Sequence, residues 1–291
     1  MSETDGGLGT HQHQTKGHSV GKDNGRSIRR PDAPAVQPPT TFLAIPATEV
    51  KLAALPREKV DGLAAGGTGR SLARYVAMRD QFTFSAAHLE GNTFTLPEVR
   101  TLLGGTVPEG KQEDEIQQIL DLTEASESLI AMVGNDSFRL DLETSDRLHG
   151  IIARNEALVA GRRRPYTGIN LDGHGASVSV MGDRFEGYPH DQLIELETVL
   201  MERISAINHP VDRALNYAAF ASYAQMYLDG NKRTARYMMD GELMRHGYDA
   251  VAIPASLQRE FNRSLAAMFR TGDLTPYATF LLGVLSDGTD Q

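Results

Sequence analysis

Within the eight residues from Asp229 to Arg236 the chain places one carboxylate, one glycine, one amide and three cations: Asp229, Gly230, Asn231, Lys232, Arg233 and Arg236. That set can bind a polyphosphate and its metal ion. An aspartate offers hard oxygen ligands to Mg²⁺, which takes one or two carboxylates together with substrate phosphates. Gly and Asn tolerate the left-handed backbone of a tight turn. Lys232 would open the helix that follows, whose first N–H groups and positive dipole end suit phosphate. Arg233 and Arg236, three apart, project from one side of its first turn and can grip phosphate bidentately. Gln225, just upstream, can hydrogen-bond a hydroxyl but cannot take its proton. Spacing alone leaves a plainer reading open, in which Asp-Gly-Asn is a helix cap and the cations are solvated.

Helices must hold this turn. Pro210, after Asn208 and His209, suits the first position of a helix over Pro210 to Leu228, with Val211, Ala214, Leu215 and Ala218 on its apolar face. A second helix runs from Lys232 to Arg245, with Ala235, Met238, Met239 and Leu243 toward the core, and Gly247 stops it. Further helices are predicted over Leu72 to Gln81, from Leu96 with Thr95 as N-cap, and over Glu113 to Val133, Leu142 to Leu158, Gln192 to Ala206, Leu257 to Met268 and Leu274 to Leu285. Gly91 and Asn92 read as a helix stop. Convincing strand material is confined to Tyr166 to Met181, where Ala176 to Val180 alternates and Asp172-Gly173-His174-Gly175 is turn chemistry, so a hairpin is expected.

Composition narrows the class. The 291 residues allow one large domain or two small ones, and 40% hydrophobic content suits a buried core. A formal charge of −9 argues against a broad nucleic-acid footprint. Without cysteine there are no disulfides or thiolate metal sites. No apolar run reaches membrane-span length, and the N-terminus lacks a signal-peptide core. The expected setting is the cytoplasm, with secretion by another signal left open. Residues 1–40, rich in Gly, Ser, Gln and Pro and holding His11, His13 and His18, read as a disordered tail, and 286–291 as a disordered C-terminus.

The order of residues in the turn resembles the signature of the Fic (Fido) family, His-x-Phe-x-Asp-Gly-Asn-Gly-Arg-x-x-Arg. Asp229, Gly230, Asn231, Arg233 and Arg236 match it, and Tyr227 stands at the Phe position. The resemblance covers about Ser85 to Leu285. It implies an all-α Fic-type helical bundle over residues 41–285, with a core at about 140–285 and a small β-hairpin flap, Gly161 to Met181, that aligns a target peptide by strand addition. Glu90-Gly91-Asn92 resembles the end of the family's inhibitory helix, here about 72–90, whose glutamate pairs with the second signature arginine. That pair would be Glu90 with Arg236. The Ser or Thr expected four residues before the glutamate is Ala86, with Ser85 one place off.

Two positions depart from the pattern. Gln225 stands where the family has the His that acts as general base, and Lys232 replaces the second glycine. Asn231-Lys232-Arg233-Thr234-Ala235 is similar to the run of the Doc toxin branch, in which phosphate is transferred. The resemblance therefore implies an ATP- and Mg²⁺-dependent AMP transferase acting on a protein hydroxyl, weak or inactive because of Gln225. Asp229 would hold the metal, Gly230, Asn231, Lys232, Arg233 and Arg236 the nucleotide, and Glu90 would inhibit. The alternatives are a nucleotide-sensing or peptide-binding pseudoenzyme and a Doc-like phosphotransferase. A protein substrate or peptide at the flap and a nucleotide are the expected partners; a homo-oligomer is compatible with the sequence, and nucleic acid and membrane are not expected. His88 and His174 are weighed as replacement bases and read as surface or turn residues. His149, His209 and His246 read as helix-end or packing residues, and Arg162-Arg163-Arg164 as a solvated charge run.

Overall fold

The computed structural model describes residues 40–169 and 176–289. Eleven α-helices occur among them: α1 (Arg57–Asp61), α2 (Thr68–Ala77), α3 (Arg79–His88), α4 (Leu96–Leu103), α5 (Glu113–Gly134), α6 (Leu142–Ile152), α7 (His190–Ser205), α8 (Pro210–Ala224), α9 (Asn231–Arg245), α10 (Gln258–Thr271) and α11 (Thr275–Thr289). Three short strands, β1 (Thr41–Leu43), β2 (Ser177–Val180) and β3 (Asp183–Glu186), form one sheet in the order β1-β3-β2. The all-α bundle with a small hairpin is thus the observed architecture.

Local chemistry explains most boundaries. Thr95 caps α4 in a reciprocal box: its hydroxyl accepts from the Glu98 N–H, and the Glu98 carboxylate accepts from the Thr95 N–H at 2.7 Å. The Asp141 carboxylate accepts from Thr144 N–H at the start of α6. Along α5 the buried set Ile119, Leu122, Ala125, Leu129, Met132 and Val133 recurs at helical spacing and fixes the inward face. At the centre lies α8, buried continuously from Ala214 to Ala224, which is why its sequence is apolar all round. It packs on α9, and α9 packs on α5 and α6. Gly241 of α9 admits the Phe138 ring, which a Cβ there would meet at 2.2 Å.

Several expectations change. The helix predicted over 72–81 is two, α2 and α3, broken at Met78, whose φ of −109° leaves the helical range. The helix from Leu142 stops at Ile152 rather than Leu158, because the chain turns back so that Gly161 lies against Gly150, with only 3.3 Å between a Gly161 Cβ and the Gly150 Cα. The helix from Pro210 stops at Ala224, four residues short of Leu228, where Gln225 turns left-handed at φ 49°, ψ 56°. The hairpin extends past Met181: Met181 and Gly182, both with positive φ, form its two-residue turn, and β3 follows. The third strand, β1, pairs with β3 in parallel and carries no alternating pattern of its own. The last helix runs on through Thr289. The tail expected over 1–40 and the turn at Asp172 to Gly175, with His174, fall outside the described residues except for Thr40.

Candidate nucleotide site

The turn between α8 and α9 is held from inside. Asn231, buried at the start of α9, reaches back across it: its Oδ1 accepts from Tyr227 N–H at 2.8 Å, and its Nδ2 donates to Tyr227 O at 2.9 Å and to Gln225 Oε1 at 3.2 Å. Gly230 takes φ 73°, and a side chain there would come within 3.0 Å of Ala153 Cβ. Glycine is therefore favoured by the backbone angle, and the close Ala153 adds a tight contact against any side chain there. Thr234 N–H bonds to Gly230 O, so the first N–H groups of α9, at 231 to 233, precede the first α-helical bond, and Gly230, Asn231 and Lys232 line the cleft.

The cations around that helix mouth are paired with protein carboxylates. Lys232 Nζ lies 2.7 Å from Glu90 Oε2, and Arg236 donates from both terminal nitrogens to Glu90 Oε1 at 3.3 Å. Arg236 also bonds Ala86 O and lies over the Phe261 ring. Burial by itself would raise the Glu90 carboxyl, but Lys232, Arg236 and Arg233 outweigh it and hold the group at about 2. Arg233 pairs with Glu156 at 2.5 Å and with Asp229 Oδ1 at 3.4 Å. Ser85, the residue beside the expected hydroxyl position, bonds Ile253 O instead of Glu90.

Asp229 is more than half exposed. Its Oδ1 takes the Gly230 N–H and Arg233, and no hydrogen bond to Oδ2 occurs among the described residues. No cluster of three or more His, Cys, Asp or Glu side chains able to hold a metal occurs among those residues. One accessible carboxylate oxygen beside an anion-binding helix end fits Mg²⁺, which completes its shell with water and substrate phosphate, and would not suit a zinc site. Gln225 is 6% exposed; its Nε2 donates to Ser222 O at 2.7 Å. The cleft bounded by Glu90, Gln225, Asp229, Lys232 and, from β2, Ser177 and Val178 has an empty volume of about 470 Å³. A larger groove of about 1,220 Å³, lined by Met78, Phe84, Leu96 and Ile253, contains none of these residues.

Two residues of the site carry no local sequence signal. His149, fully buried, accepts from Gly161 N–H at Nδ1 and meets Asp229 O through Nε2, each at 2.9 Å. Its ring stacks on Tyr227 at 3.7 Å. Burial and the nearby Arg233 lower its basicity to about 4. Arg164, read from sequence as part of a solvated charge run, is fully buried: its Nε donates to Gln225 O at 2.6 Å and its N–H to Met226 O at 2.8 Å. Arg163 binds Asp146 and Glu197, and burial pushes Glu197 up to about 7. Asp146 in turn accepts from the Tyr227 hydroxyl at 2.8 Å. His88 packs on Phe84, while His209 and His246 cap the ends of α8 and α9.

A helical bundle with a small hairpin is also the fold of solved Fic-family proteins. The C. elegans Fic-1 segment superposes with a TM-score of 0.61 at 21% identity, covering 80% of this chain and 67% of that one. A Fic family protein from Desulfovibrio desulfuricans gives 0.64 at 19%, covering 82% and 75%. Among curated proteins, the "Protein adenylyltransferase Fic" of Drosophila willistoni is 29% identical over 209 residues, 69% of this chain, and that of Drosophila virilis 28% over 234 residues, 77% of this chain. The chain spans 39% and 45% of their lengths. No family profile matches the chain. Fold and sequence likeness together support a Fic-type domain in this chain. No described helix is long and apolar enough to cross a membrane.

Proposed function

We propose that this domain binds ATP with Mg²⁺ at the α9 mouth and is a degenerate AMP transferase toward a protein hydroxyl. The observation that carries it is that Lys232, Arg233 and Arg236, all in the first turns of α9, act together on one carboxylate, Glu90, at the cleft that the accessible Asp229 also lines. Relatives named adenylyltransferases support the donor and the reaction class. In that reaction the acceptor oxygen attacks the α-phosphorus, the bond to pyrophosphate breaks, and, with no basic side chain at position 225, the hydroxyl proton passes to water. Asp229 would hold the metal, which would supply charge neutralisation of the phosphates. The α9 N–H groups, Arg233 and Arg236 orient the triphosphate. Glu90 restrains Arg236 and Lys232 and so inhibits. An acceptor peptide adds to the free edge of β2, because β1 already occupies the other edge of β3.

Gln225 takes no proton, and its amide is already bonded on both ends. The nearby His149 cannot replace it, since both ring nitrogens are engaged. Loss of a general base costs about 10²–10⁴ in rate. This favours a second reading, a nucleotide-sensing pseudoenzyme that holds a peptide at the flap. Calorimetry with ATP, and radiolabel transfer from it, test both. Expected are ATP binding, little or no labelling by the native chain, and stronger self-labelling by Gln225→His combined with Glu90→Gly. Robust native labelling that survives Gln225→Ala overturns the view of Gln225. Binding without labelling even in the double variant favours the pseudoenzyme. Label from the γ-phosphate instead of AMP shows the Doc-like phosphotransfer at which Lys232 hints.

A further inference from the structure

The loop that carries Asp229 has an unusual support. Asp229 is exposed, yet its backbone carbonyl is bonded to a histidine that is fully buried. Because Gly161 N–H donates to Nδ1, the proton of the neutral ring sits on Nε2 and is donated to Asp229 O. The ring lies parallel to Tyr227, within 7°, which fixes its plane. It also lies against Gly230, where an added Cβ would be 3.3 Å from Nε2. One imidazole thus touches the residues on both sides of the peptide that carries the carboxylate, and its other nitrogen is anchored to the first residue of the flap segment.

We infer that His149 is the positioning residue of the metal-binding turn: its Nε2–H bond to the Asp229 carbonyl aims the Asp229 carboxylate, and its Nδ1 bond couples that aim to the root of the flap. This rests on the nucleotide reading above. A histidine that served packing alone would need neither nitrogen engaged, and a hydrophobic residue would fill the space without two hydrogen bonds. Partners one shell out from a metal ligand commonly affect affinity about 10–100-fold. His149 acts on the ligand's backbone, so about tenfold, the low end of that range, is expected.

The test compares ATP affinity by calorimetry with Mg²⁺ and with EDTA, for the native chain, His149→Asn and His149→Gln, each shown to melt cooperatively. Asparagine can still accept from Gly161 but is too short to reach Asp229. Glutamine is long enough to place an amide N–H at the Nε2 position and donate to Asp229 O. The expected result is that His149→Asn loses about tenfold of the Mg²⁺-dependent gain with little change in EDTA, and that His149→Gln regains most of it. A native-sized gain in His149→Asn overturns the inference. So does an equal loss with and without Mg²⁺, which marks a purely structural role, or a glutamine variant no better than asparagine. A native chain that binds no ATP under either condition refutes the nucleotide reading itself, and a native chain that binds ATP equally well with and without Mg²⁺ refutes the role given to Asp229.

Discussion

Replacing Glu90 by alanine removes the carboxylate that neutralises Lys232 and Arg236. Glu90 is 14% exposed and Arg236 4%, so solvent screens the pair little. The fall of the Glu90 carboxyl from 4.5 to about 2 corresponds to about 3 kcal/mol at roughly 1.4 kcal/mol per pH unit. Breaking a buried ion pair by removing one partner costs ~3–5 kcal/mol, which agrees. For a domain of this size the melting temperature should drop by about 6–12 °C. The sign of the pH dependence follows. A carboxylate depressed by its partners stabilises fully above its unfolded value, and that contribution is lost as pH falls through its folded value. The difference between native and Glu90→Ala chains should therefore be constant near neutral pH and shrink between 4.5 and about 2. ATP with Mg²⁺ should raise the melting temperature of the variant more than that of the native chain, because two freed cations can take phosphate and ligand binding adds RT ln(1 + [L]/Kd). Scanning calorimetry over pH, with and without ATP, reads both effects, and Glu90→Gln separates charge from shape. A variant that melts within about 1 °C of native, or gains no more from ATP, refutes the reasoning.

Asn231→Ala removes three hydrogen bonds and strands the buried N–H and C=O of Tyr227, so a loss of roughly 1–3 kcal/mol is expected, seen as a lower urea midpoint with an unchanged slope. Gly241→Ala drives a methyl into the buried Phe138 ring; overpacking costs about 1–3 kcal/mol, more than the ~1 kcal/mol gained in helix propensity, and Gly241→Ala with Phe138→Leu should recover part of the loss on the same urea curves.

What could be read from the sequence was local. The Thr95–Glu98 cap, the Gly91 stop, the start of α8 at Pro210 and the Asp-Gly-Asn turn each lie within a few residues of the feature they create. The parts that stayed hidden depend on partners far along the chain. His149 meets Asp229 across 80 residues, and Arg164 meets Gln225 across 61. Nothing beside His149 or Arg164 announces burial, and three arginines in a row look solvated until Asp146, Glu197 and two backbone carbonyls appear around two of them. The strand β1 hides for the same reason: three residues in parallel pairing make no pattern without β3. Even the early stop of α8 is a long-range effect, since the left-handed Gln225 is held by Arg164 and Asn231 rather than by a glycine.

If the cleft takes a nucleotide as proposed, the ion pairs would also order events there. Arg233 and Arg236 are 3% and 4% exposed, Lys232 19%. On the proposed nucleotide reading an incoming phosphate would meet Lys232 first, and Lys232 is bound to the same carboxylate that pairs with Arg236. Displacing Glu90 from the outer cation weakens its hold on the inner one, because the three cations together keep that carboxyl ionised in a buried place. A glycine at position 232 would leave Glu90 paired with Arg236 alone and give the ligand no such foothold. On the proposed nucleotide reading, Lys232 would both strengthen the resting Glu90–Arg236 pair and offer the point at which a polyanion begins to open it.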